Sequence, residues 1–486
     1  MGLNMLFNKK NAAIGLFAVS FLYGLSIIAL GSYYTWPNLE SINESRSILV
    51  GGWSAWTQLM VSMDGRYATN LMHVINPMAW GWMEGYKLMP LVGVFFLFIG
   101  AYVFWGAILN NPKQVLLFCS TWMVVHFAIS PSLTYELYLM VFSMMYLWGV
   151  AGWLLWVGAF IRSLTAQNEG EKQTWFTVAA VFLVYSYGVN EMFLVANSVT
   201  LMAIWGLGWA NHTQVRVWPL LAVGGIAVIF FFAGSGSLQR IGYDSAAHQF
   251  NHLNTEWSSY LAHYGSMVVQ MLSGCWMAFP FLLLAASTLS VQELVINFIR
   301  KKYNRLFILA ALGVIVIGCS LPFYIFMGSG GQFPVRIFAV VFSFSQVLLI
   351  GIVIIGGQLA KYRTQKWSLI SAVGLTMAIF LGNSNYTALL AEWKSGVYTE
   401  FDTQFSSIHC SLEAAKKSTS GFKKTSVSPL PNMRLTIYDA SNQWPGELNW
   451  TARVLEGYYK LDEVTITDSS YLPKRFFVQR TLNNHP

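Results

Sequence analysis

The residues of this sequence most able to do chemistry are charged ones beside long apolar runs. Arginines and carboxylates are mixed among them: Asp64, Arg66, Glu84, Glu136, Glu191, Arg240, Asp244 and Arg336. An arginine fork binds a phosphate through two parallel hydrogen bonds, and a carboxylate takes a proton from an attacking hydroxyl. Together they suit the transfer of a sugar from a polyprenyl phosphate, because that phosphate leaves without a general acid. A glycoside hydrolase would need a pair of carboxylates instead.

Each of these charges also has a structural interpretation. Asp64 could cap a helix of the first loop, and Glu136 and Glu191 could be plain interfacial charges. Arg240 and Arg336 could anchor to lipid headgroups. The functional interpretation rests on the expectation that all of these charges lie on the same side of a membrane. A charge near hydrocarbon is costly and usually faces a cavity or a partner.

Other chemistries receive less support. His248 and His252 are four residues apart, but no third ligand follows at a fixed spacing, so hydrogen-bonded histidines are favoured over a metal. Residues 234–236 (Gly-Ser-Gly) lack the strand and the lysine of a P-loop. The four cysteines form no paired framework, so we expect no disulfide. We expect neither a metal nor a cofactor.

Composition indicates an integral membrane protein. Hydrophobic residues make up 55% of the 486 residues and charged residues only 10%, whereas a soluble domain carries about 25% charge. The net charge of +8 resides largely in short loops between apolar runs, so it indicates membrane topology and not a nucleic-acid-binding face.

Apolar runs of about 20 residues are long enough to cross a hydrocarbon core as helices. We predict eleven spans, near residues 11–32, 89–109, 115–131, 135–161, 174–190, 193–209, 218–234, 266–287, 306–327, 337–360 and 367–383. The first run is too long for a cleavable signal and lacks a small-residue cleavage pattern, so we expect it to remain as an anchor.

Lysines and arginines predict the orientation. Alternate connections between the spans contain Lys9, Lys10, Lys113, Arg162, Lys172, Arg216, Arg300, Lys301, Lys302, Arg305, Lys361, Arg363 and Lys366. Under the positive-inside rule these connections and the N-terminus are cytoplasmic. After eleven crossings the C-terminus lies outside.

The predicted fold is an all-α polytopic bundle over residues 1–383 with a small external α/β domain over 384–486. The external side also holds a long first loop (33–88) and a second long loop (235–265). Within the tail, residues 387–417 read as an amphipathic helix, and residues 434–438 and 463–467 alternate like strands. No internal repeat is visible, so the inverted repeats of many transporters have no support.

Four segments carry a resemblance to the GT-C superfamily of membrane glycosyltransferases. They are residues 63–67 (Met-Asp-Gly-Arg-Tyr), 188–191 (Gly-Val-Asn-Glu), 334–336 (Pro-Val-Arg) and, in the tail, 449–459. The order of these segments along the chain, and their expected external side, are similar to those of bacterial glucosyltransferase-type members that decorate surface polysaccharides, such as the O-antigen glucosyltransferases. The resemblance implies a polyprenyl-phosphate-sugar donor and a catalytic acid in the first loop.

The resemblance also implies roles for individual residues. Asp64 is the expected base, with Glu84, Glu136 and Glu191 as alternatives, because Gly65 follows Asp64 where many members have a second acid. That departure also weakens any case for a metal. Arg66, Arg240 and Arg336 are expected to hold the donor phosphate. The sugar or the acceptor would contact Glu191, Asn190, Tyr135 and Asp244.

We therefore expect a glycosyltransferase of the bacterial inner membrane that passes a sugar to a hydroxyl of a surface or lipid-linked glycan on the periplasmic side. Its partners would be the lipid-linked donor, the glycan acceptor and membrane lipids, with no nucleic acid. A sugar flippase and a polyprenyl-phosphate glycosyltransferase could serve the same pathway. The alternatives are a transporter or flippase of lipid-linked sugars and a polysaccharide polymerase.

Overall fold

The computed structural model describes twelve continuous stretches of the chain and three single residues. They are 9–62, 66–131, 133–210, 217–233, 278–287, 289–319, 335–360, 365–382, 384–419, 421–428, 434–439 and 448–466, with residues 262, 265 and 269. These residues are mostly helical, with a few short strands near the end of the chain.

The described chain begins with a long apolar helix and continues into three shorter helices. Helix α1 (Lys9–Tyr34) is followed by α2 (Leu39–Gly51), α3 (Trp53–Ser62) and α4 (Tyr67–Ile75). The side chain of Asn38 accepts a hydrogen bond from the Ser41 amide and so caps α2. Helices α2 and α3 are separated at Gly52, whose φ of 55° is a conformation that glycine adopts readily.

The next helices form the body of the bundle. In chain order they are α5 (Met89–Ile108), α6 (Pro112–Ile129), α7 (Met140–Met145), α8 (Leu147–Thr165), α9 (Glu169–Tyr187), α10 (Glu191–Ala210), α11 (Val217–Ala233), α12 (Phe279–Ser287), α13 (Glu293–Arg300), α14 (Lys302–Gly318), α15 (Val335–Ala360) and α16 (Gln365–Leu381). A π-helical turn (Thr134–Tyr138) joins α6 to α7, and a 3-10 segment (Met83–Leu88) leads into α5.

Six helical stretches of the described residues are long and apolar enough to cross a membrane. They are Ile14–Tyr34, Met83–Ile108, Pro112–Ile129, Met140–Thr165, Glu191–Gly208 and Ile337–Gly356. Six of the eleven predicted spans are thus matched by such a stretch. Four of the others lie on helices that are shorter or begin with charges: α11, α14 and α16 have 17 residues each, and α9 begins with Glu169 and Glu171. Most of the fifth, near 266–287, lies outside the described residues. The count of eleven therefore stays a prediction.

The outer surface and the helix packing of the bundle suit a membrane protein. Large apolar side chains such as Phe95, Ile229 and Trp218 point outward and are exposed. Inside, α5 and α8 approach closely at small residues: a Cβ on Gly158 would lie 2.6 Å from the Phe104 Cα. Close approach at glycines is typical of helix pairs in lipid, where packing replaces the hydrophobic effect as the driving force.

After residue 384 the chain forms three helices and two short strand pairs. Helix α17 (Asn385–Lys394) and α18 (Val397–Lys417) precede β1 (Lys424–Val427), β2 (Arg434–Leu435), β3 (Tyr438–Asp439), α19 (Leu448–Tyr459) and β4 (Glu463–Ile466). Strands β1 and β4 pair in parallel, with Lys424 opposite Glu463. Strands β2 and β3 form an antiparallel hairpin.

These elements agree with most of what the tail sequence predicts. The predicted helix over 387–417 is two helices, because Gly396 between them has a φ of 80°. The stretch 434–438 is a hairpin in place of one strand, and the strand near 463 is present. Helix α19 was not predicted. The division into two domains at residue 383 stays a prediction.

The tail packs on the end of the bundle where α1 ends. The Tyr458 hydroxyl donates to the Met78 carbonyl, Thr35 Oγ1 donates to the Ile437 carbonyl, and Thr134 Oγ1 donates to the Thr436 carbonyl. We call this end, with the described residues among 35–88, 130–139 and 384–466, the loop face. The first loop and the tail therefore share one side of the bundle.

Candidate functional site

An arginine–carboxylate pair joins the first loop to the first residue of α10. Arg66 Nη2 lies 2.9 Å from Glu191 Oε2 and 3.1 Å from Oε1, and Arg66 Nε lies 3.3 Å from Oε1. The side chains are 8% and 18% exposed. Such a forked contact binds a carboxylate more specifically than a lysine could.

The backbone around this pair is held by a second set of hydrogen bonds. The Ala68 amide donates to the Gly188 carbonyl at 2.9 Å, and Thr69 Oγ1 donates to the Val189 carbonyl at 2.8 Å. The Tyr67 ring lies so close to Gly188 that a Cβ there would be 2.2 Å from it. Glycine is therefore required at 188 for α4 to dock.

Asn190 positions the start of α10. Its side-chain oxygen accepts from the Met192 amide at 2.8 Å, and its side-chain nitrogen donates to the Met145 carbonyl at 2.7 Å. Asn190 is 1% exposed. The residue predicted to contact sugar thus serves as a helix cap in this structure.

Glu136 lies in a second, fully buried cluster. Its Oε1 is 2.5 Å from His126 Nε2, and its Oε2 accepts from Ser130 Oγ at 2.5 Å. The histidine and the carboxylate side chains are each 1% exposed. His126 Nδ1 lies 3.0 Å from Gln346 Oε1, which also accepts from Trp122 Nε1 at 2.8 Å. This burial rules out the interpretation of Glu136 as an interfacial charge.

Glu84 lies in a third cluster, where the first loop meets the tail. Lys87 Nζ is 3.6 Å from Glu84 Oε2 and 3.2 Å from Asp402 Oδ1. Trp36 Nε1 donates to the same Asp402 oxygen at 2.7 Å, and Lys87 Nζ lies 4.2 Å from the centre of the Trp36 ring. Glu84 is more exposed than the acids described above and takes part in docking the tail.

His409 extends this third cluster. Its Nδ1 is 2.7 Å from the Tyr459 hydroxyl. Burial holds the pKa of His409 below its usual range, although Glu413 and Glu84 act in the opposite direction. Burial likewise raises the pKa of the Tyr459 hydroxyl. The cluster therefore holds a largely uncharged His–Tyr contact at neutral pH.

Several predicted site residues lie outside the described part of the chain. These are Asp64, Arg240 and Asp244, together with the histidine pair His248 and His252. Arg336 stands in the first turn of α15, but its side chain is outside the description. Tyr135 is half-buried, and its ring packs edge-on against Phe142 with centroids 5.2 Å apart.

The residues that the sequence analysis missed are the partners of the predicted ones. His126, Ser130, Gln346, Lys87 and Asp402 were not singled out, although they complete two clusters. One signal could have found His126: it is a titratable residue inside a predicted span, a position that indicates function by default. In the described ranges there is no group of three His, Cys, Asp or Glu side chains that could hold a metal, and Cys119, Cys319 and Cys410 are free thiols.

Comparison with known proteins gives no relative. No protein-family model, no curated protein and no solved structure matches this chain. The chain is thus a mostly helical protein with several helices suited to a membrane, and its activity must be argued from its own residues.

Proposed function

We propose that this chain is a membrane glycosyltransferase that uses a polyprenyl-phosphate-linked sugar. One observation carries the proposal: the segment around Arg66 contacts the turn 188–191. These are two of the segments on which the resemblance to GT-C enzymes rests, and 125 residues separate Arg66 from Glu191. We take Asp64 as the candidate base because it stands two residues before Arg66 in the sequence.

The proposed reaction needs one base and a cation for the leaving phosphate. The base, Asp64, takes the proton of the acceptor hydroxyl, whose oxygen forms a bond to the anomeric carbon of the sugar. The bond from that carbon to the phosphate oxygen breaks, and the electron pair leaves with the polyprenyl phosphate. Arg240 and Arg336 would neutralise the phosphate, with Glu84 or Glu136 as alternative bases.

Within this proposal the Arg66–Glu191 pair has a positioning role. Two nitrogens of the Arg66 guanidinium are bonded to Glu191, and its Nη1 lies 3.1 Å from Met145 Sδ. Because the Arg66 guanidinium already binds a carboxylate through two nitrogens, it is better suited to holding the loop in place, as a clasp, than to binding phosphate. We therefore assign donor binding first to Arg240 and Arg336 and keep Arg66 as the residue that holds the loop. The loop face would be periplasmic, on the inner membrane of a bacterium.

The test is a transfer assay in reconstituted vesicles. Purified protein is supplied with a panel of radiolabelled polyprenyl-phosphate hexoses and a surface-glycan extract, and both labelled glycan and released polyprenyl phosphate are measured. We expect both products from wild type and from the control Glu169→Gln, and about 10²–10⁴-fold less of both from Asp64→Asn. Glu169 is an exposed acid paired with Lys172 at the start of α9. Absence of both products with every donor contradicts the proposal.

A second function, transport of a lipid-linked sugar, is favoured by the buried His126–Glu136 pair. Titratable pairs inside membrane helices often mark proton relays of transporters. The same vesicles distinguish the two functions, because a transporter moves the intact lipid-linked sugar across the bilayer without releasing polyprenyl phosphate.

A further inference from the structure

The buried pair of His126 and Glu136 has no role in the proposed transfer when Asp64 is the base, yet its hydrogen bonds define a protonation state. Four side chains take part besides the histidine: Trp122 and Ser130 from the α6 region, Glu136 from the π-helical turn and Gln346 from α15. Among described residues in hydrogen-bond or ring contact with His126, Glu136 is the single titratable or charged group.

Trp122 determines the orientation of the Gln346 amide. An indole nitrogen can only donate, so the Gln346 atom 2.8 Å from Trp122 Nε1 must be the amide oxygen. The opposite orientation would set an NH2 group against this donor. The present orientation satisfies the indole, and it does so although Gln346 Nε2 has no acceptor among the described residues.

The amide oxygen in turn determines the proton on the imidazole. His126 Nδ1 lies 3.0 Å from the same oxygen, so Nδ1 must bear a hydrogen and donate it. If the ring is neutral, its other nitrogen, Nε2, is then an acceptor. Nε2 is 2.5 Å from Glu136 Oε1, and two bare acceptors do not approach so closely without a proton between them.

We propose that His126 and Glu136 form a proton-binding site that holds one shared proton between Nε2 and Oε1. The proton resides either on the imidazole, as an ion pair, or on the carboxyl group, as a neutral pair. In both forms the pair has no net charge, which suits side chains that are each 1% exposed, because an uncompensated buried charge is costly. The Ser130 hydroxyl donates its hydrogen to the second carboxyl oxygen.

The shared proton has a consequence for Glu136. A carboxyl group that shares a proton with His126 and is sealed from solvent is a weaker alternative base for a sugar hydroxyl than Glu84, whose side chain is exposed. The site instead stores a proton inside the bundle, beneath the start of α17, where Asn385 Nδ2 donates to the carbonyls of Phe127 and Ser130. The inference stands whether or not the chain transfers sugar.

Nitrogen NMR of the imidazole tests the proposal on the intact, folded protein. His126 is the one histidine of the eight that follows a valine, so labelling valine carbonyl carbons and histidine nitrogens identifies it without a mutation. We expect a protonated Nδ1 and a hydrogen-bonded, proton-sharing Nε2, both unchanged from about pH 5 to about pH 8, where ordinary histidines titrate.

Glu136→Gln is the matched variant. A glutamine has nearly the same shape, can donate an N–H to Nε2 and can still accept from Ser130, but it brings no exchangeable carboxyl proton. We expect Nδ1 to stay protonated in this variant and Nε2 to change to a bare acceptor. An unprotonated Nδ1 in wild type, or an Nε2 signal that is the same in both proteins, overturns the proposal.

Discussion

The clasp between Arg66 and Glu191 allows a quantitative test of how the first loop is held. An exposed ion pair contributes about 0.2–1 kcal/mol, and breaking a fully buried pair costs about 3–5 kcal/mol. Exposures of 8% and 18% place this pair between those limits. Three N–O contacts of 2.9–3.3 Å support a coupling free energy of about 2 kcal/mol.

A double-mutant cycle measures this coupling. Arg66→Met keeps the aliphatic stem and removes the charge, and Glu191→Gln keeps the shape of the acid. We expect each single variant to lower the free energy of unfolding by about 2–3 kcal/mol and the double variant by little more than either. Reversible unfolding in mixed micelles is the assay.

The chain offers its own control for this cycle. Lys172 and Glu169 form a pair at 2.7 Å, but on an exposed helix start where their side chains are 37% and 63% exposed. The same cycle there should give a coupling below about 1 kcal/mol. If the Arg66–Glu191 variants are additive within about 0.5 kcal/mol, the pair is not a clasp, and Arg66 returns to the candidates for binding the donor phosphate.

Four further predictions follow from the proposed function and the fold. Asp64→Asn should leave folding and donor binding intact while lowering transfer by about 10²–10⁴; a rate close to wild type in the purified variant excludes Asp64 as the base. Arg240→Lys and Arg336→Lys should weaken donor binding although charge is kept, because the fork is lost; unchanged affinity in both removes this role. A reporter fused after His485 should be active only in its periplasmic form, and cytoplasmic activity means that the span count is wrong by an odd number. Since burial lowers the pKa of His409, protonation favours the unfolded chain, so stability should be full above about pH 6.5 and fall below it; His409→Gln should reduce that loss, and an unchanged pH profile contradicts the assignment.

Much of the architecture could be predicted from apolar runs alone. The stretches near 11–32, 89–109 and 337–360 are helices of membrane-crossing length because no other structure satisfies the backbone of such a run in hydrocarbon. Shorter apolar runs do not by themselves predict whether a helix crosses the membrane. A helix of 17 residues such as α14 spans about 26 Å, slightly less than the hydrocarbon core of about 30 Å, so its role depends on tilt and neighbours that one sequence does not reveal.

The site was predicted less completely, since its chemistry depends on pairs far apart in the chain. Charge and position identified Arg66, Glu136 and Glu191, but nothing local indicates that Arg66 meets Glu191 across 125 residues. His126 was missed because an isolated histidine in an apolar run resembles an ordinary core residue until its carboxylate partner is known. Asn190 was assigned to sugar, whereas its amide groups are used by the backbone.

The contacts between the first loop and the tail also bear on how the chain is made. Thr35 bonds to Ile437 across 402 residues, and Met78 bonds to Tyr458 across 380 residues. The first loop is therefore synthesised several hundred residues before the surfaces that cover it. It stays partly uncovered until those residues have been made, because long-range contacts of this kind form late in folding. Docking of α18 and α19 on the first loop would then follow the formation of the helices between them.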